Sequence, residues 1–427
     1  MTNPDKSGKP SQLVSFIQKF IQSQSLGGMV LIFSALLAFI WANSPWSSQY
    51  FALKETPLGI RLGPSALEKP LGLWVNDGLM AIFFFLVGLE IKRERLVGEL
   101  SNLRDAILTI VAALGGMIVP AAIYATVNWG KPGIQGWGVP MATDIAFALG
   151  VLSLLGNRVT PSLKVFLTAL AIIDDLGAVL VIALFYTADL HWLSLLYSMG
   201  VLATAFTYAR SGGRTGWVFG LLGVVMWYFM LKSGVHPAVA GVLLAFTVPI
   251  SRKVRPDSFG SEFRNFQNQP FEDAEDAIER AETLLADARS PLHRMERLLH
   301  PWVAFLVMPV FAFLNAGVDV TASGSALSPI AQGAFFGLLL GKPIGVLSFS
   351  WLGVRLGWAS LPGGSTWIAM AGTGLLAGIG FTMSLFIAGL AFEAPELLDQ
   401  AKIGVLTASV LAAVMGLWLV SRATRPS

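Results

Sequence analysis

The sequence has no cysteine among its 427 residues. Disulfide bonds, thiolate catalysis and cysteine-bound metals are therefore excluded. Charged residues are also scarce, at 13% of the chain, whereas 54% of the residues are hydrophobic. Soluble domains carry about 25% charged residues. This balance, with a mean hydropathy of +0.66, indicates one integral membrane domain spanning residues 1–427.

The first 25 residues lack a secretory signal, because they are polar and have no short apolar core before a small-residue cleavage site. We therefore expect residues 1–25 to form a cytoplasmic N-terminus, and insertion to start at the first spanning helix. The net charge of +3 is attributed to membrane orientation, so no nucleic-acid partner is expected.

Long apolar runs are what the sequence has in abundance. A run of about 20 such residues crosses a bilayer as a helix. Windows of that length predict an all-α protein with twelve transmembrane helices, at 26–44, 71–92, 106–127, 134–155, 163–187, 191–209, 216–231, 234–250, 301–318, 329–354, 366–391 and 401–421.

The distribution of lysine and arginine predicts the orientation, since positive charges are retained on the cytoplasmic side. With the N-terminus inside, the cytoplasmic segments hold 22 of the 29 basic residues and the outer loops hold six, while Lys342 lies within a span. Both termini are therefore expected in the cytoplasm, with 422–427 as the C-terminal segment.

Two further segments lie outside the predicted spans. Residues 49–63 have β-branched and aromatic residues on either side of a Thr-Pro-Leu-Gly turn signal, which favours a short outer hairpin or an irregular loop. Residues 251–300 begin as a polar, proline-containing stretch and continue with apolar residues at helical spacing, which predicts a cytoplasmic amphipathic helix.

Ionisable residues within the spans are the candidates for chemistry, because each costs roughly 2.5 to 3.5 kcal/mol at a helix centre. Five residues qualify. They are Asp77, Asp144, Asp174, Asp175 and Lys342.

The adjacent pair Asp174 and Asp175 stands out among them. Neighbouring residues on a helix point about 100° apart, so both side chains cannot face one partner. One aspartate is expected to pair with Lys342 while the other faces a water-filled path. Burial and mutual repulsion both oppose two full negative charges. The pair is therefore suited to holding protons or a small hard cation, for which oxygen is the preferred ligand.

Two spans are expected to be interrupted. Pro140 lies one turn before the polar pair Thr143 and Asp144, which disfavours a continuous helix. Glycines precede Thr382 in a second span, at positions 372, 374, 378 and 380. They favour either a helix break, whose freed carbonyl groups coordinate ions, or close helix packing.

Seven stretches of the sequence resemble the NhaA-type sodium/proton antiporters, in that family's order. They cover most of residues 71–392 and read "NDGLMAIFFFLVGLEIKRE", "ATDIAFALGVLSLLG", "FLTALAIIDDLGAVLVIALFYT", "SGVHPAVAGVLLAF", "LHPWVAFLVMPVFAFLNAGV", "GKPIGV" and "GIGFTMSLFIAGLAF". The resemblance implies twelve helices with inverted-topology repeats, in which two discontinuous helices cross beside the ion site.

The resemblance also implies roles for the candidate residues. Asp175 would be the principal carrier of cation and proton, with Asp174 as its partner, also paired with Lys342. Thr143 and Asp144 would lie at the helix crossing, where Asp144 offsets the positive half-helix ends and Lys342 the negative ones. Asp77 and Thr382 would have supporting roles.

A cytoplasmic pH-sensing cluster is implied as well. It would comprise Glu90, Arg93, Glu94, Glu296 and His300, and His236 would influence the pH profile from the outer end of its span. Arg297 departs from the family, whose best-known members have a histidine there. The 251–300 loop is also longer than theirs.

The activity implied is electrogenic exchange of cytoplasmic Na+ or Li+ for external H+, activated at alkaline pH and without an enzymatic cofactor. It would serve sodium export, salt tolerance and pH homeostasis in a bacterial inner membrane. The lipid bilayer and the transported ions would be its partners, and residues 49–63 would form the contact of a homodimer.

Four other classes of membrane protein fit the residues less well. An intramembrane aspartyl protease needs aspartates on separate helices in Tyr-Asp and Gly-x-Gly-Asp contexts, which do not occur. A prenyl-transferring enzyme needs DDxxD-like clusters, whereas Leu, Gly and Ala follow Asp175. A passive cation channel needs a ring of carboxylates or carbonyls, and none is apparent. A sodium-coupled symporter is the nearest alternative, although the fixed charge of Lys342 would compete with co-bound sodium.

Overall fold

The computed structural model describes residues 24–62, 65–98, 103–187, 190–251, 290–319 and 327–424. Three predicted segments lie largely outside this part. They are the N-terminus 1–25, the amphipathic helix of the 251–300 stretch and the end of the C-terminal segment 422–427.

Helices account for most of the described residues, as expected where lipid leaves no other partner for backbone N–H and C=O groups. The first seven are α1 (Gln24–Ala42), α2 (Ser47–Glu55), α3 (Leu71–Val97), α4 (Leu103–Val127), α5 (Ile145–Ser153), α6 (Pro161–Phe185) and α7 (Trp192–Arg210). The rest are α8 (Gly216–Ser233), α9 (Ala238–Ala245), α10 (Pro291–Asn315), α11 (Pro329–Arg355), α12 (Trp367–Ala377), α13 (Phe381–Ala391) and α14 (Pro395–Ala423).

Eight helices in the described part are long and apolar enough to cross a membrane, and counting each of three bent helix pairs as one span raises the number to eleven. The predicted span at 234–250 is matched by neither a long helix nor a bent pair. There Gly234 ends α8 with φ +87° and α9 covers only Ala238–Ala245. Eight residues rise about 12 Å, less than half the hydrocarbon thickness.

Both predicted interruptions are present as bends. A 3-10 helix, Pro132–Met141, precedes α5 at an angle of 46°, and α12 meets α13 at 44°. Of the four glycines in the second span, those at 378 and 380 lie at the bend, whereas Gly372 and Gly374 lie inside α12. An added Cβ at Gly374 would lie 3.0 Å from the Cα of Pro343. Close packing therefore explains that glycine, and Gly378 at the bend is packed closely as well, since an added Cβ would lie 2.5 Å from the carbonyl oxygen of Leu338.

The segment that follows α1 differs from the hairpin predicted at 49–63. Residues Ser47–Glu55 are helical, and the strand pair consists of β1 (Pro57–Leu62) and β2 (Ser65–Pro70). The strands are antiparallel, with Pro57 opposite Pro70. Of the predicted turn residues, Thr56 ends the helix and residues 57–59 start β1, because the helix takes up the aromatic residues that suggest a first strand.

The chain divides into two compact units. Unit 1 comprises Met1–Asn76, Asn102–Val181 and Ala304–Ser427, and unit 2 comprises Asp77–Ser101 and Ile182–Val303.

Unit 1 is held together by close approach of α4 and α11. An added Cβ at Gly115 would lie 2.5 Å from Cγ of Phe349, and one at Gly116 would lie 3.1 Å from Cγ2 of Val346. Small residues let membrane helices pack backbone to backbone in this way. The same glycine, Gly116, lies beside Lys342, whose Nζ would be 3.7 Å from the added Cβ.

Unit 2 has its own core, where α3 packs on α9. A Cβ at Gly88 would lie 2.7 Å from that of Ala245. A cluster of buried apolar side chains continues this contact, formed by Leu89, Phe219, Ala245, Val248, Leu292 and Met295.

The orientation predicted from the basic residues is testable because the natural chain has no cysteine. Glu68→Cys, on β2, should react with a membrane-impermeant maleimide in intact cells. Thr424→Cys, at the end of α14, should react only after permeabilisation, since the cytoplasmic segments retain most of the positive charge. Labelling of Thr424→Cys in intact cells would contradict the predicted topology.

Candidate ion-binding site

A buried ion pair lies within unit 1. The Nζ atom of Lys342 is 2.5 Å from Oδ2 of Asp174, and both side chains are fully buried. Asp174 lies midway along α6, and Lys342 directly follows a π-helical turn in α11, Gly337–Gly341. Such turns are rare and are frequently found at functional sites. Of the two aspartates left open by the sequence, Asp174 is the one that contacts the lysine.

Thr143 joins the same carboxylate to a helix end. Its hydroxyl oxygen is 2.7 Å from Oδ2 of Asp174 and also 2.7 Å from the carbonyl oxygen of Ala377, the last residue of α12. A hydroxyl has one proton, so it donates to one of these acceptors at a time. The other carboxylate oxygen of Asp174, Oδ1, has no hydrogen-bond partner within the described ranges. The carboxylate thus has an oxygen available to a further ligand.

Asp175 is as deeply buried as its neighbour, with 1% of its surface exposed. One helical step of about 100° separates the two side chains on α6. The structure therefore keeps both carboxyl groups away from water while turning them toward different surroundings.

Asp144 lies where the two bends meet. Its N–H donates to the carbonyl of Ile379 at 2.7 Å. Its Oδ1 accepts the N–H of Phe147 at 3.0 Å, and its Oδ2 accepts both the N–H of Thr382, at 3.1 Å, and the Thr382 hydroxyl. One carboxylate therefore caps the first turns of α5 and α13, where the helix dipoles favour negative charge.

The carbonyl ends of the two bent segments are satisfied by hydroxyl groups from one another. Thr143 contacts the carbonyl of Ala377, and Ser384 of α13 donates to the carbonyl of Val139 at 2.7 Å. The resemblance implies that Lys342 offsets the negative helix ends, whereas the ion pair that Lys342 forms is with Asp174. Sequence reasoning missed Ser384, because a serine in an apolar run gives no signal of its own.

Asp77 and His236 come together in unit 2. Asp77 lies in the π-helical turn Val75–Leu79 of α3, and its Oδ1 is 3.6 Å from Nε2 of His236. The indole N–H of Trp227 donates to the Asp77 carbonyl at 2.8 Å. The sequence indicates Asp77 and His236 separately, and it gives no signal for Trp227.

The residues predicted to form a pH-sensing cluster are also in unit 2. The guanidinium group of Arg93 binds Glu94 at 2.8 Å and Glu296 at 2.9 Å. Glu90 and His300 are both within the electrostatic influence of Arg93. The structure thus brings α3 and the start of α10 together through these charged side chains.

These features define an all-α integral membrane protein with ionisable side chains buried in its spans, which is the usual construction of an ion transporter. The chain belongs to the family described as Na+/H+ antiporter 1, which matches residues 18–420.

Named relatives match nearly the whole chain. The Na(+)/H(+) antiporter NhaA of Koribacter versatilis is 49% identical over 413 residues, which is 95% of this chain and 90% of that protein. The NhaA of Rhodospirillum rubrum is 48% identical over 417 residues, covering 96% and 97%. The NhaA of Wolinella succinogenes is 44% identical over 435 residues, covering 98% and 96%. These matches confirm the resemblance found in the sequence motifs.

A solved structure shares the fold. The sodium proton antiporter MjNhaP1 from Methanocaldococcus jannaschii aligns with a TM-score of 0.50, covering 97% of this chain and 100% of that one at 14% identity. At this identity the likeness concerns the fold alone.

The buried ion pair predicts a marked dependence of stability on both partners. Lys342→Met should lower the melting temperature of the purified protein by several degrees, because breaking a buried pair from one side costs about 3 to 5 kcal/mol. The double variant Lys342→Met/Asp174→Asn should regain at least half of that loss, since no charge is then left alone. Thermal unfolding followed by size-exclusion chromatography gives both values. A single variant as stable as wild type would refute the pair's structural role.

Thr143 is predicted to matter through its hydroxyl group. Thr143→Val should raise the KM for sodium about tenfold, because a hydrogen bond to a charged group contributes about 1.5 to 3 kcal/mol and 1.4 kcal/mol is a factor of ten. Thr143→Ser should stay near wild type. Thr373 is a matched control, since it is equally buried but its hydroxyl donates within its own helix, to Ala369. An equal effect of Thr373→Val would point to packing instead.

Proposed function

We propose that this protein exchanges cytoplasmic Na+ or Li+ for external H+. The observation that carries the proposal is the buried pair of Asp174 and Lys342, with Thr143 on the same carboxylate oxygen. Membership of a family described as Na+/H+ antiporters supports it. Asp174 and Asp175 are proposed to bind the transported ions, and no cofactor is needed.

The ammonium group of Lys342 acts in this scheme as an internal substitute for the transported cation. It neutralises Asp174 when that carboxylate holds neither sodium nor a proton, which matters because an unpaired buried charge is strongly disfavoured. A sodium ion that approaches Asp174 must therefore displace Lys342 from it. Asp175, one helical step away, supplies the second carboxylate that the incoming ion or proton neutralises.

Competition between sodium and protons gives exchange. A site holding protons on both carboxyl groups has no charge to attract sodium, and a site holding sodium repels protons. Exposure of the site to one side of the membrane at a time then couples the two flows. The bends beside Asp144 are proposed to correspond to discontinuous crossing helices in a fold of twelve helices with inverted repeats.

The exchange is proposed to be electrogenic. If both carboxyl groups return protonated after one sodium ion leaves, each cycle moves one net positive charge inward. A membrane potential contributes about 2.3 kcal/mol per elementary charge per 100 mV. The potential of a respiring cell would therefore drive sodium out against its gradient.

Activity is proposed to rise with alkalinity, until the supply of protons limits it. Acid conditions keep the site occupied by protons and so exclude sodium. The charged group of Glu90, Arg93, Glu94, Glu296 and His300 is proposed to sense cytoplasmic pH, with His236 contributing through its contact with Asp77. Arg297 lies on the same helix as Glu296, so the pH set point is expected to differ from that of relatives with a histidine there.

The physiological role that fits this activity is sodium export, salt tolerance and pH homeostasis. The named relatives come from bacteria, and a bacterial inner membrane with both termini in the cytoplasm is the proposed location. The strand pair β1 and β2, with α2 before it, is proposed as the contact of a homodimer.

Everted membrane vesicles test the exchange directly. With a pH-gradient dye as reporter, sodium or lithium added to energised vesicles should dissipate the gradient, more strongly at alkaline than at acid pH. Asp175→Asn should abolish the response while the protein still inserts and purifies normally, because the principal carrier is then missing. Absence of any response from wild type between pH 6.5 and 9 would refute antiport.

Proteoliposomes separate the electrogenic claim from the exchange itself. A potassium diffusion potential set by valinomycin should accelerate sodium-driven proton movement in the direction that the net charge predicts. Exchange that is indifferent to this potential would show an electroneutral carrier.

A further inference from the structure

A contact between α13 and the last helix, α14, has no part in the scheme so far. The N–H of Phe381, the first residue of α13, donates to the hydroxyl oxygen of Ser409 at 3.1 Å. Ser409 lies in α14 and is 1% exposed. A side chain from a different helix thus supplies the acceptor that this helix start lacks.

The beginning of α13 cannot satisfy its own N–H groups. Its preceding residue is Gly380, which has no side chain to act as an N-terminal cap. In lipid, water is not available as a substitute, and an unsatisfied buried N–H is costly. The N–H of Thr382 goes to Asp144, and the N–H of Phe381 goes to Ser409. Two acceptors from two different parts of the chain therefore share the positive end of α13.

The carboxylate of Asp144 is already fully engaged at this place. Its Oδ2 accepts two bonds from Thr382, and its Oδ1 accepts one from Phe147. If Ser409 offered no oxygen, the buried N–H of Phe381 would lose its acceptor, which favours unwinding of the start of α13 by one residue. Such unwinding would shift the bend between α13 and Ala377, whose carbonyl contacts Thr143.

We propose that Ser409 is a positioning residue for the sodium site. It acts through Phe381 and the start of α13, and it touches neither the ion nor the carboxylates that bind it. Its hydroxyl accepts the N–H of Phe381, and so holds the start of α13 and the bend whose Ala377 carbonyl contacts Thr143. This role rests on the proposed sodium exchange, because its consequence is the affinity for sodium.

Replacement of the hydroxyl tests the proposal. Ser409→Ala should weaken sodium binding about five- to tenfold, the range expected for the loss of one buried hydrogen bond, with maximal exchange rate changed less than twofold. Ser409→Thr retains a hydroxyl and should restore affinity to within about twofold of wild type. Binding to purified protein is measured by isothermal titration calorimetry with NaCl, and exchange is measured in proteoliposomes.

Ser350 offers a matched control. It is a fully buried serine in α11 whose hydroxyl has no partner in the described part of the chain. Ser350→Ala therefore removes the same atom from a similar depth and should leave sodium affinity unchanged. Amide hydrogen exchange over 378–384 adds a readout independent of sodium, and it should become faster in Ser409→Ala alone.

The outcomes separate this inference from the proposed function. If wild-type protein binds sodium and Ser409→Ala binds it equally well, with unchanged amide exchange over 378–384, the role of Ser409 is overturned and antiport stands. Equal losses in Ser409→Ala and Ser350→Ala would overturn it as well. If wild-type protein does not bind sodium, both the exchange and this role are refuted.

Discussion

A carboxylate and an ammonium group 2.5 Å apart, with no access to water, are the interaction on which the site depends. Neither group would remain charged alone at that depth, because the solvation that stabilises an ion is missing. The pair lets the chain keep a negative charge ready in lipid by balancing it with its own cation. In the proposed exchange, a transported ion therefore competes with the Lys342 side chain for Asp174.

The backbone obeys the same constraint as the side chains. Bending two helices in lipid exposes peptide groups that a continuous helix would satisfy, so each exposed group must find a partner nearby. The sequence supplies those partners from Thr143, Asp144, Ser384 and Ser409. The hydroxyl and carboxylate groups that look like ion ligands in the sequence therefore also stabilise the bends, through hydrogen bonds to backbone groups.

Much of the site could be predicted from the sequence because charge in an apolar span is a strong signal. Asp174, Asp175, Asp144 and Lys342 were found that way. Ser384 and Trp227 were not found, because serine often satisfies its hydroxyl within its own helix and tryptophan is common in membrane spans. Their roles depend on which carbonyl group they meet, and one sequence does not contain that information.

The prediction of the fold was also correct in part, and its errors arose where local backbone geometry decides the structure. Hydropathy located the long helices, yet it assigned a full span at 234–250, where Gly234 adopts a left-handed φ and only eight residues are helical. The aromatic residues and the turn signal likewise placed the hairpin too early, because Tyr50 and Phe51 suit a strand and are used in a helix. The types of residue in a segment indicate whether it lies in the membrane, whereas the backbone geometry of a single glycine can determine where its helix ends.

The reciprocal hydroxyl contacts have a consequence for movement. Thr143 reaches from the first bent segment to the second, and Ser384 reaches back. Two segments joined by hydrogen bonds in both directions resist sliding past each other, since any shear would break several buried hydrogen bonds at once. We therefore expect the two bent segments to move as one rigid body, and conformational change to occur in parts of the chain with fewer hydrogen bonds.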